Sequence, residues 1–581
     1  MARDTIPARL FERSTARGDE PAYFVKENGV WQGTSWSGYA REVRRAARSL
    51  IALGIEPGQT VAMLGGNRPE WSVMLLAAMS VGARGAGLYT TSAPAELHET
   101  LAHTGARVLL VESEALFARV RDVLPPGVER VVFMRGAPAP VHALASSWDG
   151  FLKLGAEVEE ARLEQRLDAL DPNAPAVLVY TSGTEGSPQA VMLSHRNLTW
   201  TSDVVRDVLR AGPRDTSLSY LPLSHVSEQM FTVHGPISTG GAVYYAESVA
   251  RAPANLREVQ PTIVFGVPRI WEKLHEGMEK RLAREHGPRA RLVRWARETG
   301  LRYVQARNEG REPSLELGVQ YELARKLVLA RVHRGLGLSN ARVCLSGAAP
   351  IDDEVLTYFA SLGVQILEVY GQSECCGPAT LNQPARARLG SAGPKLPGTT
   401  VSIADDGEVL IAGPHVFLGY HDDPEATAQA LRDGVLHTGD LGELDGEGFL
   451  TITGRKREIL ITAGGKNVAP KRIEDALTRS PVIAEAVLIG DRRRYLTALL
   501  TLDRVADADA RRQIDEHIAK LNAELARPEQ IKRYTILPRA FSVESGELTP
   551  TMKIKRRRVE ELYAREIEEM YSEEKRADVR A

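Results

Sequence analysis

Four apolar segments of this 581-residue chain each run into a loop of small polar residues, and this shared form limits the fold more than any other feature. They are AVLVYTSGT (176–184), PTIVFGVP (261–268), ARVCLSGAAP (341–350) and VQILEVYGQSE (364–374). Each has the form of a buried strand followed directly by Gly, Ser, Thr or Pro. In open α/β sheets, ligands bind beyond the carboxyl ends of the strands. The sequence therefore predicts an α/β fold with a ligand site at that edge.

The character of the sequence changes twice along the chain. Before about residue 390, short apolar runs alternate with helical patterns, which predicts a large N-terminal domain of doubly wound sheets. Within it, the segment 275–335 is rich in Arg, Glu, Leu and Ala and predicts long charged helices outside the sheet. After residue 390, alternating segments separated by turns predict a small β region. We expect two domains, 1–456 and a smaller α+β domain over 457–581.

Composition excludes several classes of protein. The chain has 73 Lys and Arg residues against 75 Asp and Glu residues, a net charge of -2, which argues against a nucleic-acid binder. Its three cysteines, Cys344, Cys375 and Cys376, form no CxxC pair, so a disulfide scaffold or structural zinc site is not expected. The N-terminus lacks the apolar core of a signal peptide, and no apolar run approaches a membrane span. We expect a cytoplasmic protein.

The segment YTSGTEGSPQAVMLSH contains a candidate phosphate-binding loop. A strand ends in Thr181, Ser182, Gly183, Thr184 and Gly186. Small residues let the backbone approach a ligand closely, and consecutive N–H groups with hydroxyls can cradle a phosphate. No Gly-Lys-Ser/Thr follows at the spacing of a Walker loop. Taken alone, the segment could equally be a surface turn.

The segment EVYGQSE ends a strand with an aromatic residue, a glycine and an acid. Tyr370 could stack on a base. Glu374 could hold Mg²⁺, which favours carboxylate and phosphate oxygens. The alternative is a core tyrosine and a solvated glutamate.

Two later segments add charged candidates. In LHTGDLGELDGEGFLTITGRKREI, Asp440 follows a strand-like run and could accept hydrogen bonds from ribose hydroxyls. Arg455, fifteen residues later, could return to the same place across a hairpin. In GELTPTMKIKRRR, Lys553 follows a Thr-Pro-Thr turn and begins a basic run. The alternatives are ordinary turn residues for the pair, and a solvated face for the basic run.

Together these motifs, in this order, resemble the AMP-forming adenylate-forming superfamily of acyl-CoA synthetases, luciferases and peptide-synthetase adenylation domains. The resemblance covers nearly the whole chain. VPRIWEKLH, EVYGQSECCGP and FSVESGELTPTMKIKRRRV are most similar to long-chain fatty acid–CoA ligases of the bubblegum type. Such enzymes join a fatty acid to ATP as an acyl-adenylate, release pyrophosphate, and pass the acyl group to coenzyme A with loss of AMP.

The resemblance implies a role for each site residue. The loop from Thr181 to Gly186 would hold the β- and γ-phosphates, with Thr184 and Glu374 at Mg²⁺. Asp440 and Arg455 would bind the ribose, and Lys553 would bridge the acyl carboxylate and the α-phosphate. The nucleotide site would be completed by Gly347, Glu368, Tyr370, Gly371 and Ser373.

The resemblance also implies an acyl site and a moving domain. His225 would lie near the acyl carboxylate and Trp271 over the acyl tunnel, although either could be an ordinary core residue. The C-terminal domain would rotate about Arg457 between the half-reactions, where relatives mostly have Asp or Lys. Rotation would bring Gly464 to the pantetheine tunnel and Lys466 to a coenzyme A phosphate; a solvated turn lysine is the alternative.

The phosphate loop departs from the family pattern. Pro188 is followed by Gln189 and Ala190 where relatives have Lys and Gly, and Glu185 replaces a Thr or Ser. Both changes remove positive or add negative charge beside the phosphates, so we expect activity with altered ATP affinity.

Other functions stay open at this stage. One is an adenylating enzyme that uses a carrier protein or a non-fatty acid, and another is a nucleotide-binding homologue without turnover. The expected partners are fatty acid, ATP and coenzyme A, but no nucleic acid. The basic run from Lys555 to Arg558 is compatible with peripheral membrane contact, although a solvated helix start is the simpler interpretation, and the family is compatible with a homodimer.

Overall fold

The computed structural model describes residues 4–181, 189–282, 284, 286–463, 466–502, 506–543, 545–549 and 553–572. They form mixed α/β sheets in a large N-terminal part and a smaller α+β C-terminal part, which confirms the predicted fold class.

The largest sheet has eight strands and helices on both faces. One face packs on Trp36–Ala52 and Pro69–Ser80, the other on Pro94–Thr104 and Glu114–Ala118. Its strands alternate sides, so Val61 and Met63 face the first helix layer while Ala62 and Leu64 face the second. In spatial order the strands are Gly419–Tyr420, Gln189–Ser194, Pro175–Thr181, Arg84–Leu88, Thr60–Leu64, Val108–Val111, Arg130–Phe133 and Ala145–Ser147.

A second sheet holds the other three strand-to-loop segments. Three of its strands are parallel, and the fourth returns antiparallel. In order they are Ile263–Gly266, Val343–Ser346, Ile366–Gln372 and Gly377–Leu381. Between the first two strands the chain leaves the sheet as long helices, as predicted for 275–335. The helical segments are Pro268–Leu282, Pro288–Asn308, Leu315–Ala324, a π-helical turn Arg325–Leu329, and Ala330–Leu336.

Two further sheets complete the N-terminal part. A four-stranded sheet consists of Thr216–Ser219, Ala242–Tyr245, Pro21–Glu27 and Val30–Ser35. The predicted small β region is a five-stranded antiparallel sheet, made of Thr400–Ile403, Glu408–Ala412, Val435–Leu444, Leu431–Arg432 and Leu450–Arg455. Asp-Asp-Gly (405–407) and Asp-Gly-Glu-Gly (445–448) form the tight turns of its hairpins.

The C-terminal part follows Arg455 with a short turn and then its own core. A three-stranded sheet, Ile483–Ile489, Leu496–Leu502 and Ile531–Ile536, packs on the helices Pro470–Thr478 and Ala508–Glu524. A two-stranded ribbon pairs Leu460–Ile461 with Asn467–Val468, and the last helices among the described residues are Arg556–Leu562 and Ala564–Ser572.

The remaining helices cover the N-terminal sheets or connect their strands. They are Ile6–Ala16, Trp148–Leu154, Glu160–Asp168, His195–Leu209, Val226–Gln229, the π-helical turn Met230–His234, Gly235–Thr239, Ala252–Val259, Asp353–Ser361 and Pro424–Ala430. Across the described ranges, none of the helices has the length and apolar character that crossing a bilayer requires.

Candidate active site

Asp440 is the centre of the candidate site. Asp440 is 4% exposed, and its carboxylate accepts three hydrogen bonds. Arg455 Nε donates to Oδ1 over 2.8 Å, and the Tyr370 hydroxyl and Gln372 Nε2 donate to Oδ2 over 2.8 and 2.6 Å. Asp440 and Arg455 are direct partners across an antiparallel pair of strands, which explains their spacing of fifteen residues. The structure thus brings Asp440, Arg455 and Tyr370 together.

Lys553 reaches this cluster from the C-terminal part of the chain. Its side chain lies close enough to Arg455, Asp440 and Glu374 for direct electrostatic interaction. The residue is exposed, yet desolvation by the surrounding protein lowers the pKa of Lys553, and the Arg455 charge lowers this pKa further. Asp440, Glu458 and Glu374 act in the opposite direction. The site therefore holds a cation beside three carboxylates, and such a cation can neutralise charge at a phosphate.

Glu374 is tied to the strand that follows the phosphate loop. Its Oε1 accepts a 2.8 Å hydrogen bond from the Tyr420 hydroxyl, and its carbonyl accepts from the Phe417 amide. Tyr420 in turn pairs with Val191 across the edge of the eight-stranded sheet. Burial raises the pKa of the Glu374 carboxyl above 4.5. This linkage fixes the carboxylate relative to the loop that Gln189 closes.

Part of the predicted phosphate loop lies outside the described residues. This applies to Ser182, Gly183, Thr184, Glu185 and Gly186. At the loop's two ends, Thr181 and Gln189 are paired across antiparallel strands, and the Thr181 hydroxyl donates to the Gln189 carbonyl over 3.4 Å. The flanking strands thus form a hairpin whose connection is the predicted loop.

Close packing explains why glycine occupies two positions in and beside the second sheet. A Cβ on Gly371 would lie 1.7 Å from the Gly377 carbonyl oxygen, and one on Gly347 would lie 2.6 Å from Val369 Cγ1. Neighbouring strands and side chains therefore exclude larger residues at these positions. Ser373, which follows, begins a short 3₁₀ turn, Ser373–Cys375, and is half-buried. Their nucleotide-binding roles stay predictions.

Glu368 faces a different part of the fold. Its carboxylate accepts from the Gly390 amide over 3.1 Å, and burial, with the nearby Asp353 carboxylate, raises the pKa of Glu368 to about 8. This contact holds the loop around Gly390 against the strand. A role in cofactor binding stays a prediction.

Trp271 is wholly buried in the core of the helical excursion. Its indole Nε1 donates to the carbonyls of Gly266 and Leu345, both over 3.2 Å, and its ring meets Phe359 edge-on. These contacts are those of a core tryptophan that joins two strand ends. Its role as an acyl gate stays a prediction.

His225 lies near Lys553. Burial lowers the pKa of His225 to about 4, and the Lys553 charge acts in the same direction. Its Nδ1 accepts from the Ser227 amide over 3.2 Å, so the imidazole is neutral with Nε2 as the donor. A neutral donor is suited to an acyl carboxylate oxygen.

The residues predicted to act after domain rotation lie on the surface. Arg457 is exposed in the short turn Lys456–Glu458 that joins the two parts of the chain. Lys466 is also exposed, and its amide donates to Thr462 Oγ1 over 3.2 Å. Gly464 lies outside the described residues.

Three contributors to the site were missed from the sequence. Gln372 lies two residues from Tyr370 on the same strand, so the alternation of side chains could have placed both on one face. Glu458, whose charge acts on Lys553, immediately follows Arg457, the predicted hinge. Tyr420 belongs to no motif we identified, and only the tertiary structure brings it to Glu374.

The described residues hold no group of three or more His, Cys, Asp or Glu that could bind a metal unaided. Glu374 offers a single carboxylate, so a Mg²⁺ ion held there would need phosphate oxygens and water to complete its octahedral shell. That is how Mg²⁺ binds in nucleotide sites, and the donor set fits it.

A buried carboxylate near His225 gives the first testable prediction. Glu228 Oε1 accepts from Ser219 Oγ, Tyr220 N and Thr232 Oγ1, and burial raises the pKa of Glu228 to about 7. An acid with a raised folded-state pKa loses stability as pH rises from about 4.5 to about 7. The free energy of unfolding of E228Q, relative to that of wild type, should therefore be about 3 kcal/mol higher at the upper end of this pH range than at its lower end. Urea unfolding at both ends of the range measures it; a constant difference would contradict it.

Comparison with known proteins gives consistent results over almost the whole chain. The model described as AMP-binding enzyme matches residues 10–421, and that described as AMP-binding enzyme C-terminal domain matches residues 457–575. Long-chain-fatty-acid–CoA ligase ACSBG2 of Homo sapiens is 34% identical over 98% of this chain and 92% of its own length. Long-chain-fatty-acid–CoA ligase FadD15 of Mycobacterium bovis is 34% identical over 98% of both chains.

Solved structures share the fold. The A domain of carboxylic acid reductase from Segniliparus rugosus, in complex with AMP and a co-purified carboxylic acid, has a TM-score of 0.75 at 18% identity, covering 98% of this chain and 94% of that one. The anthranilate CoA ligase AuaEII, in complex with anthranoyl-AMP, has a TM-score of 0.70 at 20% identity, covering 97% and 98%.

Proposed function

The chain belongs to the AMP-binding enzyme family, and on that premise we propose that it is an AMP-forming long-chain fatty acid–CoA ligase. A fatty acid carboxylate oxygen attacks the α-phosphorus of ATP, the bond to the β-phosphate breaks, and pyrophosphate leaves. The thiol of coenzyme A then gives up its proton and attacks the acyl carbon, and AMP leaves as the thioester forms. The names of the nearly full-length relatives support this substrate class.

The observation that carries the proposal is the meeting of Lys553 with Asp440, Arg455 and Glu374. These residues lie on separate segments of the chain, and they bring two cations and two carboxylates together in one place. A carboxylate accepts roughly four hydrogen bonds, and Asp440 already accepts three, so one position remains for a ribose hydroxyl. Lys553 can then reach the α-phosphate of the same nucleotide.

In this scheme each residue performs a positioning or electrostatic task. Asp440 and Arg455 orient the ribose, and Tyr370 packs on adenine while its hydroxyl stays on Asp440. The Lys553 ammonium stabilises the charge that develops on the α-phosphate. Neutral His225 donates to the acyl carboxylate. Glu374 and Thr184 would hold Mg²⁺, which neutralises charge on the phosphates.

The substrate assignments extend to both domains. ATP and coenzyme A are the proposed co-substrates, with Gln189 and Glu185 weakening the electrostatic grip on pyrophosphate. We propose that the part over 457–581 rotates on the part over 1–456 about Arg457, which carries Lys553 away and presents Gly464 and Lys466 to coenzyme A. The exposure of Arg457 and Lys466 supports this.

We propose a cytoplasmic enzyme; the three free, buried cysteines suit a reducing compartment. The basic run from Lys555 to Arg558 offers fewer cations to a membrane than its sequence suggests. Arg556 is paired with Glu474 and donates to the Leu488 carbonyl, so it serves the C-terminal core.

Product analysis with MgATP and palmitate, with and without coenzyme A, tests the function. AMP, pyrophosphate and palmitoyl-CoA forming together only with coenzyme A support the ligase. AMP and pyrophosphate without thioester point to a carrier-protein acceptor or another acid. ATP binding without AMP formation overturns the enzyme and leaves a nucleotide-binding homologue.

The Tyr420 contact predicts a change in metal dependence. Y420F removes the hydroxyl that holds Glu374 Oε1 but keeps the ring. We expect the Mg²⁺ concentration for half-maximal AMP formation to rise about 3–10-fold, which corresponds to the net value of one typical hydrogen bond, about 0.5–1.5 kcal/mol. The saturating rate should change little. Y495F serves as the control, because Tyr495 lies in the C-terminal part against Tyr571. An unchanged Mg²⁺ dependence in Y420F would contradict the positioning role.

A further inference from the structure

An apolar stripe lies exposed on the helical excursion of the second sheet. It consists of Leu315, Val319, Leu323 and Leu327, which are 92%, 70%, 50% and 47% exposed. Their spacing of four places them along one face over about 18 Å of continuous helix. The opposite face, with Tyr321, Ala324, Val328 and Leu329, is buried in the core of the excursion. Apolar side chains on both faces are typical of a helix with a partner on each side.

The segment of the chain that carries the apolar stripe is strongly cationic. Residues 280–334 contain fourteen Lys and Arg against six Glu and no Asp, whereas the whole chain has a net charge of -2. Lys326 lies between Leu323 and Leu327, and Arg331 continues the stripe at the same spacing; both are exposed. Of the nearby acids, Glu322 is already paired with Arg325, and Glu316 accepts from Gln320.

We propose that the apolar stripe docks on an anionic lipid bilayer, with its leucines and valine in the acyl boundary and the flanking cations on the headgroups. Buried apolar area together with attraction to anionic lipid is what holds interfacial helices. A second copy of this chain is the poorer occupant, because like faces would bring the two cationic flanks together. The choice of lipid over an acidic protein rests on the proposed function, since a long-chain fatty acid partitions into membranes.

The arrangement also suits delivery of the substrate. The helix Pro268–Leu282, which begins the excursion, carries Trp271 at the ends of two sheet strands. The apolar stripe belongs to the same excursion and shares its core. On the proposed function, a bilayer bound there would hold fatty acid against the same helical excursion that carries the predicted acyl gate.

Vesicle flotation of the full-length chain tests the docking without any substrate. We expect it to float with vesicles of equal parts phosphatidylcholine and phosphatidylserine, and much less with phosphatidylcholine alone. V319Q/L323Q should lower the partition coefficient about tenfold or more, since each apolar side chain loses its burial. K326E/R331E should lower the partition coefficient at least as much, about fivefold for each cation lost, but only with the anionic vesicles. V249Q is the matched control, because Val249 is 64% exposed elsewhere on the chain.

Each remaining outcome overturns the proposal. Wild type that floats with neither vesicle, or V319Q/L323Q that floats like wild type, excludes the apolar stripe as a lipid contact. Equal flotation with both vesicles excludes the cationic part. A wild-type dimer by size-exclusion chromatography that V319Q/L323Q converts to monomer, without flotation, assigns the stripe to a second copy. AMP formation from detergent-dispersed palmitate, measured separately, shows whether the ligase assignment fails while docking stands.

Discussion

Replacing Lys553 with methionine should slow acyl-adenylate formation by about 10²–10³-fold, the typical cost of removing one preorganised donor from a developing oxyanion. Methionine keeps much of the unbranched length and removes the charge. Lys553 lies beside Asp440, Arg455 and Glu374, and its own segment is fastened by the hydrogen bond from its amide to Thr549 Oγ1 over 2.9 Å. The loss should therefore be electrostatic, with no collapse of the site. Pyrophosphate release in a single turnover measures it.

K555M is the matched control for this prediction. Lys555 lies two residues away at the start of the helix Arg556–Leu562, where its amide donates to the Glu547 carbonyl. The K555M enzyme should adenylate palmitate at nearly the wild-type rate. Transfer from preformed palmitoyl-adenylate to coenzyme A should also survive in K553M, because Lys553 acts before that step. A K553M enzyme impaired equally in both half-reactions would contradict the assigned role.

The direction of the pKa shift adds a pH criterion. Desolvation and Arg455 lower the pKa of Lys553, so its charge is lost at a lower pH than for a free lysine. Only the protonated form stabilises the α-phosphate, so adenylation should decline as pH rises through that lowered pKa. K553M should lack this alkaline limb, while transfer to coenzyme A in wild type should not show it.

Local patterns predicted the sheets and the hairpin pair because those features depend on short-range periodicity. The four strand-to-loop segments are strands as expected, since buried runs ending in glycine and hydroxyl residues have few other stable forms. The pairing of Asp440 with Arg455 follows from a turn whose length fixes the register. The resemblance to a known family supplied Lys553, which no local pattern places near residues that lie about a hundred or more positions away.

Contacts that depend on packing between distant segments could not be predicted. Tyr420 reaches Glu374 because the short strand Gly419–Tyr420 pairs with the strand that contains Val191. Nothing in the sequence of those two residues indicates this pairing. The burial of Trp271 against two carbonyls was equally invisible, since an aromatic residue near a site serves either a core or a ligand. The exposed apolar stripe emerges only when one face of its helix is seen to be buried.

Replacing Asp440 with asparagine should have the other large effect, on ATP binding. The substitution keeps the size of the side chain but removes its negative charge. That charge orients Arg455, and the carboxylate is the proposed acceptor of a hydrogen bond from a ribose hydroxyl. A hydrogen bond to a charged group contributes about 1.5–3 kcal/mol, so losing the one to the ribose should weaken ATP binding about 10–10²-fold. Isothermal titration with a non-hydrolysable ATP analogue measures this.

The fold should tolerate the change, and that separates binding from stability. The Arg455 side chain is 46% exposed, so water can solvate the guanidinium when its partner carboxylate is gone. Tyr370 and Gln372 can still donate to the amide oxygen of asparagine. The unfolding transition of D440N should therefore stay close to that of wild type. E443Q, which neutralises an exposed carboxylate on the same strand, should bind the analogue normally. If D440N retains wild-type affinity, then Asp440 serves only to fasten the hairpin to the strand of Tyr370, and the ribose must be bound by other groups.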